Sequence, residues 1–393
     1  MNLAFYGVLV YAALAGIEAW YLWRSGRGYP LGVAVSNMSC GALMLCAQGA
    51  YVATLVFLYG ALKARTSLVE GLGWQWWSVV LAFVLTDLCY YAYHRASHRV
   101  AALWGAHIVH HESDDYNLTV SLRQGTVSQF TGIPFYLALA VIGIPLPVFL
   151  AVNGVYQIYQ FFVHTAVVGN MGWLENILAT PRLHRLHHAR NEEYIDCNYS
   201  GFLILWDKLF GSYRPPSVEP VYGVTDPLRS WSPLWANLAY FQELVEKARS
   251  RDGWDRLWTF IGPPEWRPAT ERPKSLKPYI AYHGSPRPGL RGLAMGVFGT
   301  SVILAILLTG PSLDWSSMAR AVLILVTAVS TLTATRLFDG RRLKFPGLVP
   351  RHTTLIESED RERRVDVNWV SVPLISPSLW QTTGRMRKAK NRA

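Results

Sequence analysis

Apolar residues in this chain fall into runs too long and too uniform for an ordinary water-soluble core. Residues 3–23 contain a single acid, Glu18, residues 38–62 contain no charged side chain, and residues 74–93 contain one, Asp87. Further runs cover 126–143, 148–166, 293–310 and 319–335. A helix needs about 20 apolar residues to cross the hydrocarbon of a bilayer. The pattern therefore predicts an all-α, polytopic membrane bundle of about five to seven spans. The stretch 126–166 is too long for one crossing and is interrupted by Ile144-Pro145-Leu146-Pro147. Two helices of about 18 residues, each roughly 27 Å long, fit it as a hairpin that leaves and re-enters on one side. The first run lacks a basic leader and a small-residue cleavage site, so it is expected to be an anchor.

Between the spans the pattern changes. Residues 168–262 are amphipathic and rich in tryptophan, including Trp173, Trp206, Trp231, Trp235, Trp254 and Trp258. Tryptophan favours the headgroup layer, so this segment reads as a helical cap lying against the interface. The expected organisation is N-terminal spans over 1–70, a catalytic domain over 71–262, a linker over 263–291 with seven prolines, C-terminal spans over 292–340 and a basic tail over 341–393.

Composition agrees. Only 16% of the residues are charged, where a soluble domain carries roughly a quarter. The net charge of +11 comes largely from Lys and Arg at span ends, among them Arg24, Arg27, Arg95, Arg99, Arg291 and Arg336. By the positive-inside rule that side faces the cytoplasm of a bacterial inner membrane or the endoplasmic reticulum. Topology and anionic lipid account for the basic balance, and nucleic acid is not expected as a partner. The four cysteines form no C-x-x-C pair and read as packing residues.

Histidine carries the chemistry. Of eleven histidines, eight fall in three boxes: His94 and His98; His107, His110 and His111; His184, His187 and His188. Residues four apart leave one helical face, so each box can offer two or three ring nitrogens towards a single point. The third box opens on Thr180 and Pro181, residue types suited to the cap and first turn of a helix. The hairpin brings all three boxes to one membrane face. Eight neutral imidazoles exceed what one ion takes and suit two transition metals, with Zn, Cu, Fe and Ni all compatible by ligand type. His164 ends a polar stripe with Asn153, Gln157 and Gln160, and is either a ninth ligand or part of a polar cavity wall. His283 and His352 read as surface residues. Asp87 lies in a stripe with Tyr91, His94 and His98, too far along the axis to orient His94. It is expected to accept the N–H of a histidine on a neighbouring helix, because an acid within a span is functional by default.

The order H-x3-H, H-x2-H-H, H-x2-H-H on a membrane scaffold resembles the fatty acid hydroxylase/sterol desaturase superfamily of non-haem diiron enzymes. The likeness extends over residues 75–270. Segments 110–124 (HHESDDYNLTVSLRQ), 159–165 (YQFFVHT), 174–191 (LENILATPRLHRLHHARN) and 194–213 (YIDCNYSGFLILWDKLFGSY) make it strongest to the alkylglycerol monooxygenase group. That resemblance implies two iron ions held by the box histidines, O2 as oxidant, an external electron donor of the tetrahydropterin type and a membrane lipid substrate. It places Glu112, Asp196 and Asn198 beside the site as further catalytic candidates. One departure is Arg99, where the family pattern has an acid directly after the second histidine.

The expected activity is hydroxylation of a lipid C–H, with cleavage of an alkylglycerol ether to a fatty aldehyde as its outcome. Tyr116, Asn117, Arg123 and Gln160 are the candidates for holding the headgroup end of the substrate. Sterol desaturation, or hydroxylation of another lipid, uses the same metal pair and is the first alternative. A membrane zinc-binding protein without catalysis is a more distant one, since its sites belong near the bilayer midplane and the boxes sit at span ends. A bis-histidine haem would need opposed histidines at matching depth on two spans, which the pattern lacks.

Overall fold

The long apolar runs fold as helices, and two of these, Leu31–Thr66 and Ser317–Phe338, extend past their apolar windows at both ends, because the helical hydrogen-bond ladder continues into the aqueous layer. A computed structural model describes residues 3–269, 271, 282, 284, 288–309 and 316–340. His283, His352 and the tail 341–393 lie outside the described residues, as does much of the linker. In chain order the helices are α1 (Leu3–Arg24), α2 (Leu31–Thr66), α3 (Trp76–Arg99), α4 (Ala101–His111), α5 (Ser128–Ile142), α6 (Leu146–Phe162), α7 (Pro181–His187), α8 (Leu205–Leu209), α9 (Pro233–Arg249), α10 (Gly253–Ile261), α11 (Arg291–Thr309) and α12 (Ser317–Phe338). No strand occurs among the described residues, where the only β pairings are isolated bridges, Leu178–Leu203 and Ala189–Tyr222. The class is all-α, as the pattern predicts.

Four helices, α2, α3, α11 and α12, are long and apolar enough to cross a membrane, and the chain is an integral membrane protein. The hairpin is shorter than expected: α5 has 15 residues and α6 has 17. At 1.5 Å per residue these reach only about 22 and 25 Å, short of the ~30 Å hydrocarbon core. The turn consumes the difference. Gly143, at φ 111°, donates to Leu139 and Ala140 carbonyls and Ile144 donates to Leu139, which closes the end of α5 before Pro145 opens α6.

The apolar core joins α2, α3, α5 and α6 around Leu55, Tyr59, Leu139, Ile144 and Phe149. Tyr59 stacks on Phe149 at 5.5 Å and its hydroxyl donates to the Ile144 carbonyl at 2.8 Å, satisfying a buried polar atom within the hairpin turn. Helices α11 and α12 pack on each other and on α2. Their buried positions include Ala294, Ser301, Ala305, Thr327, Thr331 and Ala334, small side chains that let helices approach closely. Asp339, at the end of α12, accepts from Ser230 Oγ at 2.9 Å, Trp231 N at 3.0 Å and Tyr282 Oη at 3.1 Å. The C-terminal pair is thus tied to the segment that starts α9, and α9 packs on α4.

Candidate metal centre

Three helices deliver the histidines. The last two turns of α3 carry His94 and His98, α4 carries His107, His110 and His111, and α7 with its first following residue carries His184, His187 and His188. His164 follows α6 by two residues. All nine are buried. They form two groups. His94, His98, His107, His111 and His187 make one, and His110, His164, His184 and His188 make the other, each with ligand atoms within 4.8 Å of one another.

The expectation that each H-x2-H-H box points to one place is corrected here. Each box is divided. At 100° per residue, histidines four apart differ by about 40°, whereas the middle one lies about 60° to the other side. His107 and His111 therefore join the first group and His110 the second, while His184 and His188 join the second and His187 the first.

The ring nitrogens are oriented for metal. His94 Nδ1 donates to the Tyr199 carbonyl at 2.7 Å, His187 Nδ1 to Cys197 at 2.8 Å, His110 Nδ1 to Arg123 at 3.0 Å and His164 Nδ1 to Gln160 at 2.6 Å. A carbonyl only accepts, so each contact places the proton on Nδ1 and leaves Nε2 with its lone pair towards the group. The Nε2 atoms of His94, His187 and His188 are buried with no hydrogen-bond partner. Other Nε2 pairs stand 3.1–3.2 Å apart: His98 with His111, His111 with His107, His164 with His110, and His184 with His164. Two nitrogens each about 2.1 Å from a common ion at about 95–100° are that far apart. Burial first, and neighbouring imidazoles second, hold His107, His111, His184 and His188 well below the ordinary histidine pKa. Burial brings His164 down to about 4. Neutral, nitrogen-only and lone-pair-inward, the donor set fits transition metals.

Asp196, held at φ 59°, reaches this shell from the loop after α7. One oxygen lies 3.6 Å from His98 Nδ1 and the other forms an ion pair with Arg99. Burial alone would raise the Asp196 pKa, but His98 and Arg99 together bring it below the usual carboxylate range. The cation at Arg99 thus fixes a carboxylate supplied from elsewhere in the chain beside His98.

The remaining candidates are placed differently from expectation. Asp87 meets no histidine. It accepts from Tyr156 Oη at 2.9 Å, Phe202 N at 3.1 Å, Leu203 N at 3.0 Å and Trp206 Nε1 at 2.8 Å, tying α3 to α6 and to the loop entering α8. The helix face that carries it turns to α6 and the 202–206 loop, which offer four donors. Gly201 makes this approach possible, since a Cβ there would collide with Tyr156 and Tyr90. Asn198, at φ 52°, bridges the Leu183 and Arg214 carbonyls and accepts from Arg214 N at 2.8 Å, so it braces α7 from outside the groups. Glu112 and Arg123 form a buried pair at 2.8 Å, which leaves Glu112 with a pKa pushed up to about 7 by burial against the pull of Arg123.

Arg123 is spent on the protein itself. It donates to the Val109 carbonyl at 2.7 Å and to Ser36 Oγ at 2.8 Å, besides Glu112, and its own carbonyl orients His110. Gln160 is similarly occupied by Gly201 and Tyr90, and its carbonyl orients His164. Tyr116 donates to the Val163 carbonyl at 2.9 Å and its ring packs against His164 and His188. Asn117 caps the turn at Leu118–Leu122 through Thr119 N at 3.1 Å. Thr180 does not cap α7 with its side chain, and its hydroxyl reaches Glu175 at 3.5 Å.

Two acids have roles that the boxes did not disclose. Asp207 accepts from Tyr199 N and Ser200 N, both at 2.8 Å, and from Ser212 Oγ at 2.7 Å, shaping the loop whose Tyr199 carbonyl orients His94. Glu18 of α1 accepts from Leu118 N at 2.6 Å and from Thr165 Oγ1, next to His164. Their signal in the sequence is a lone acid inside an apolar run: FLILWDKLF for Asp207 and residues 3–23 for Glu18.

With this geometry in place, comparison with known proteins is specific. The family model for fatty acid hydroxylase matches residues 79–212. Alkylglycerol monooxygenase of Danio rerio is 41% identical over 189 residues, 48% of this chain and 40% of that protein. Alkylglycerol monooxygenase of Xenopus tropicalis is 33% identical over 253 residues, 63% of this chain and 56% of that protein. Alkylglycerol monooxygenase of Homo sapiens is 44% identical over 161 residues, 41% of this chain and 35% of that protein. The chain therefore spans between about a third and little more than half of the length of these relatives. No solved structure matches it. The match to the fatty acid hydroxylase family model, residues 79–212, takes in all nine clustered histidines of this integral membrane protein.

Proposed function

We propose that the chain is an O2-dependent lipid monooxygenase that holds two iron ions, one in each histidine group, at the cytosolic face of its membrane. The observation that carries this reading is the partition of nine buried imidazoles into two adjoining groups with their Nε2 atoms turned inward. Iron bound there supplies activation of O2 and abstraction of hydrogen from an unactivated C–H. The chain's own residues do the rest. Carbonyls of Tyr199, Cys197, Arg123 and Gln160 keep the histidine tautomers fixed, Asp196 and Arg99 steady His98, and burial keeps water from the groups. Tyr116 packs against the second group and forms part of its wall.

The substrate class we infer is an alkylglycerol ether lipid, because several relatives are alkylglycerol monooxygenases and the fatty acid hydroxylase match over residues 79–212 takes in the whole histidine set. Hydroxylation of the carbon beside the ether oxygen gives a hemiacetal that collapses to a fatty aldehyde. The donor that this reading requires is external and of the tetrahydropterin class. Purified protein in detergent should hold close to two irons per chain, and both His107→Ala and His187→Ala should lose metal. Supplied with O2, tetrahydropterin and an alkylglycerol, it should release fatty aldehyde. Two irons without aldehyde would replace the ether-lipid reading with another lipid, and 18O2 would then separate hydroxylation from desaturation. One tightly held zinc with no O2 uptake would end the oxygenase reading altogether.

A further inference from the structure

A cavity lies on the back of the third histidine box. Its volume is about 400 Å³, and its lining includes Asn170, Arg182, Arg185 and the loop Pro216–Pro220. Arg182, Arg185 and Leu186 share one face of α7, about 180° round the helix from the face of His184, His187 and His188. The two arginines differ in how their charge is met. Arg182 pairs with Glu175 at 2.9 Å. Arg185 donates to the Ala166 and Val168 carbonyls, its Nε has no hydrogen-bond partner, and no carboxylate among the described residues pairs with it. The Tyr222 hydroxyl also meets this guanidinium, but a partly buried guanidinium held by neutral groups, with no carboxylate beside it, directs its charge at whatever fills the adjoining space. Asn170 adds an amide whose oxygen is taken by Gly172 N at 2.7 Å and whose NH2 is uncommitted. Glu219, the one acid among the residues lining the cavity, is exposed at its rim.

The surroundings narrow the class of anion. The segment that brings Asn170 to the cavity also exposes Val167, Val168, Met171 and Trp173, the last at 69%. It follows α6 directly, and an exposed tryptophan among apolar neighbours belongs in the headgroup layer. An occupant would therefore have its charge at the arginines and its chain against this apolar strip. We infer that this cavity binds the phosphate of a membrane lipid headgroup, at a site separate from the histidine groups and backed by the same helix. Two guanidinium forks one turn apart match the tetrahedral oxygens of a phosphate, to which arginine donates in pairs.

The test is binding, read without turnover, so it stands or falls independently of the proposed activity. Full-length protein in neutral detergent would be titrated with lysophosphatidic acid, with the monoacylglycerol of the same acyl chain, and with inorganic phosphate. Lysophosphatidic acid should bind at least about tenfold more tightly than either of the others, the factor expected from one charge-assisted hydrogen-bonded contact. Arg185→Gln should remove most of that preference while metal content stays at the wild-type value. Because Arg185 also holds two loop carbonyls, Val218→Asp provides a second variant. It adds a carboxylate to the lining at an exposed side chain and should weaken lysophosphatidic acid by a similar factor. Equal binding of the two lipids, or retention of the preference in Val218→Asp, would overturn the inference. Inorganic phosphate binding as tightly as the lipid would overturn the lipid assignment in favour of a soluble anion.

Discussion

Asp87→Asn distinguishes an anchor from a catalytic acid. Asp87 is fully buried and receives four donors, two on each oxygen: Tyr156 Oη and Phe202 N on Oδ1, Leu203 N and Trp206 Nε1 on Oδ2. Asparagine keeps the shape but replaces one acceptor by an NH2. The least costly arrangement turns the NH2 towards Tyr156, whose hydroxyl can accept in turn. The Phe202 N–H then faces another donor and is stranded, at about 1–3 kcal/mol. The two bonds that survive lose the carboxylate charge, worth about 1 kcal/mol each on the difference between charge-assisted and neutral bonds. The sum is about 3–5 kcal/mol. It falls on the loop that supplies the Tyr199 carbonyl to His94 and the Gly201 carbonyl to Gln160. The variant should therefore melt roughly 5–15 °C lower in detergent and lose metal in the same proportion as it loses fold. Stability and metal content are measured on one preparation, by thermal unfolding and by elemental analysis. A variant with wild-type melting and metal content but no turnover would refute this argument and restore Asp87 to the chemistry.

Other perturbations separate parts of the centre. His187→Ala and His188→Ala remove neighbours in sequence but members of different groups, so each should lower bound metal from about two per chain towards one, and the double variant towards none. Asp196→Asn should weaken metal retention against a chelator by about 10–100-fold, as loss of a carboxylate beside a ligating histidine does, and Arg99→Gln should do so less. Glu112→Gln leaves the buried Arg123 charge without its partner and should cost about 3–5 kcal/mol of stability. Adding Arg123→Met to it should recover part of that loss in the unfolding midpoint. Gly201→Ala forces a Cβ into Tyr156 and should lower the unfolding midpoint by as much as Asp87→Asn.

The membrane helices were legible because their signal is local: about 20 consecutive apolar residues mean the same thing in any context. Their ends were not. α2 starts at Leu31 and ends at Thr66, well outside the uncharged window 38–62, since nothing in the residues between forbids continued helix. The histidines were legible by type and spacing, and His164 emerged from the polar stripe that ends in it. What spacing could not convey is partnership across the chain. Arg99 and Asp196 stand 97 residues apart, and Asp87 and Trp206 stand 119 apart. The reading of Asp87 as a partner for histidine assumed that an intramembrane acid must face the metals. Four donors from α6 and the cap satisfied it instead. Spacing was equally silent on the partners of Arg123 and Gln160, read from the sequence as headgroup ligands: in a tightly packed interior, a long polar side chain is usually occupied by carbonyls and acids of its own fold, as both are here.

The doubled H-x2-H-H box builds two histidine groups from few helices. A helix can present only about 100° of its surface to one point, so three histidines within five residues cannot all converge. Two of them, four apart, can, and the third is turned aside by about 100° from its immediate neighbour. On α4 the pair serves the first group and the odd one the second, while α7 serves them in the opposite sense. The two boxes are thereby cross-braced: neither helix can rotate to improve one group without spoiling the other. His111 and His188, one from each group, lie stacked at 4.5 Å between ring centres, so the groups also share a packed boundary. Independent sites would require each box to serve one group alone. This arrangement couples them instead, so the one ion that His187→Ala or His188→Ala is expected to retain should be lost to a chelator faster than either ion of the unaltered protein. Equal loss rates would refute the coupling.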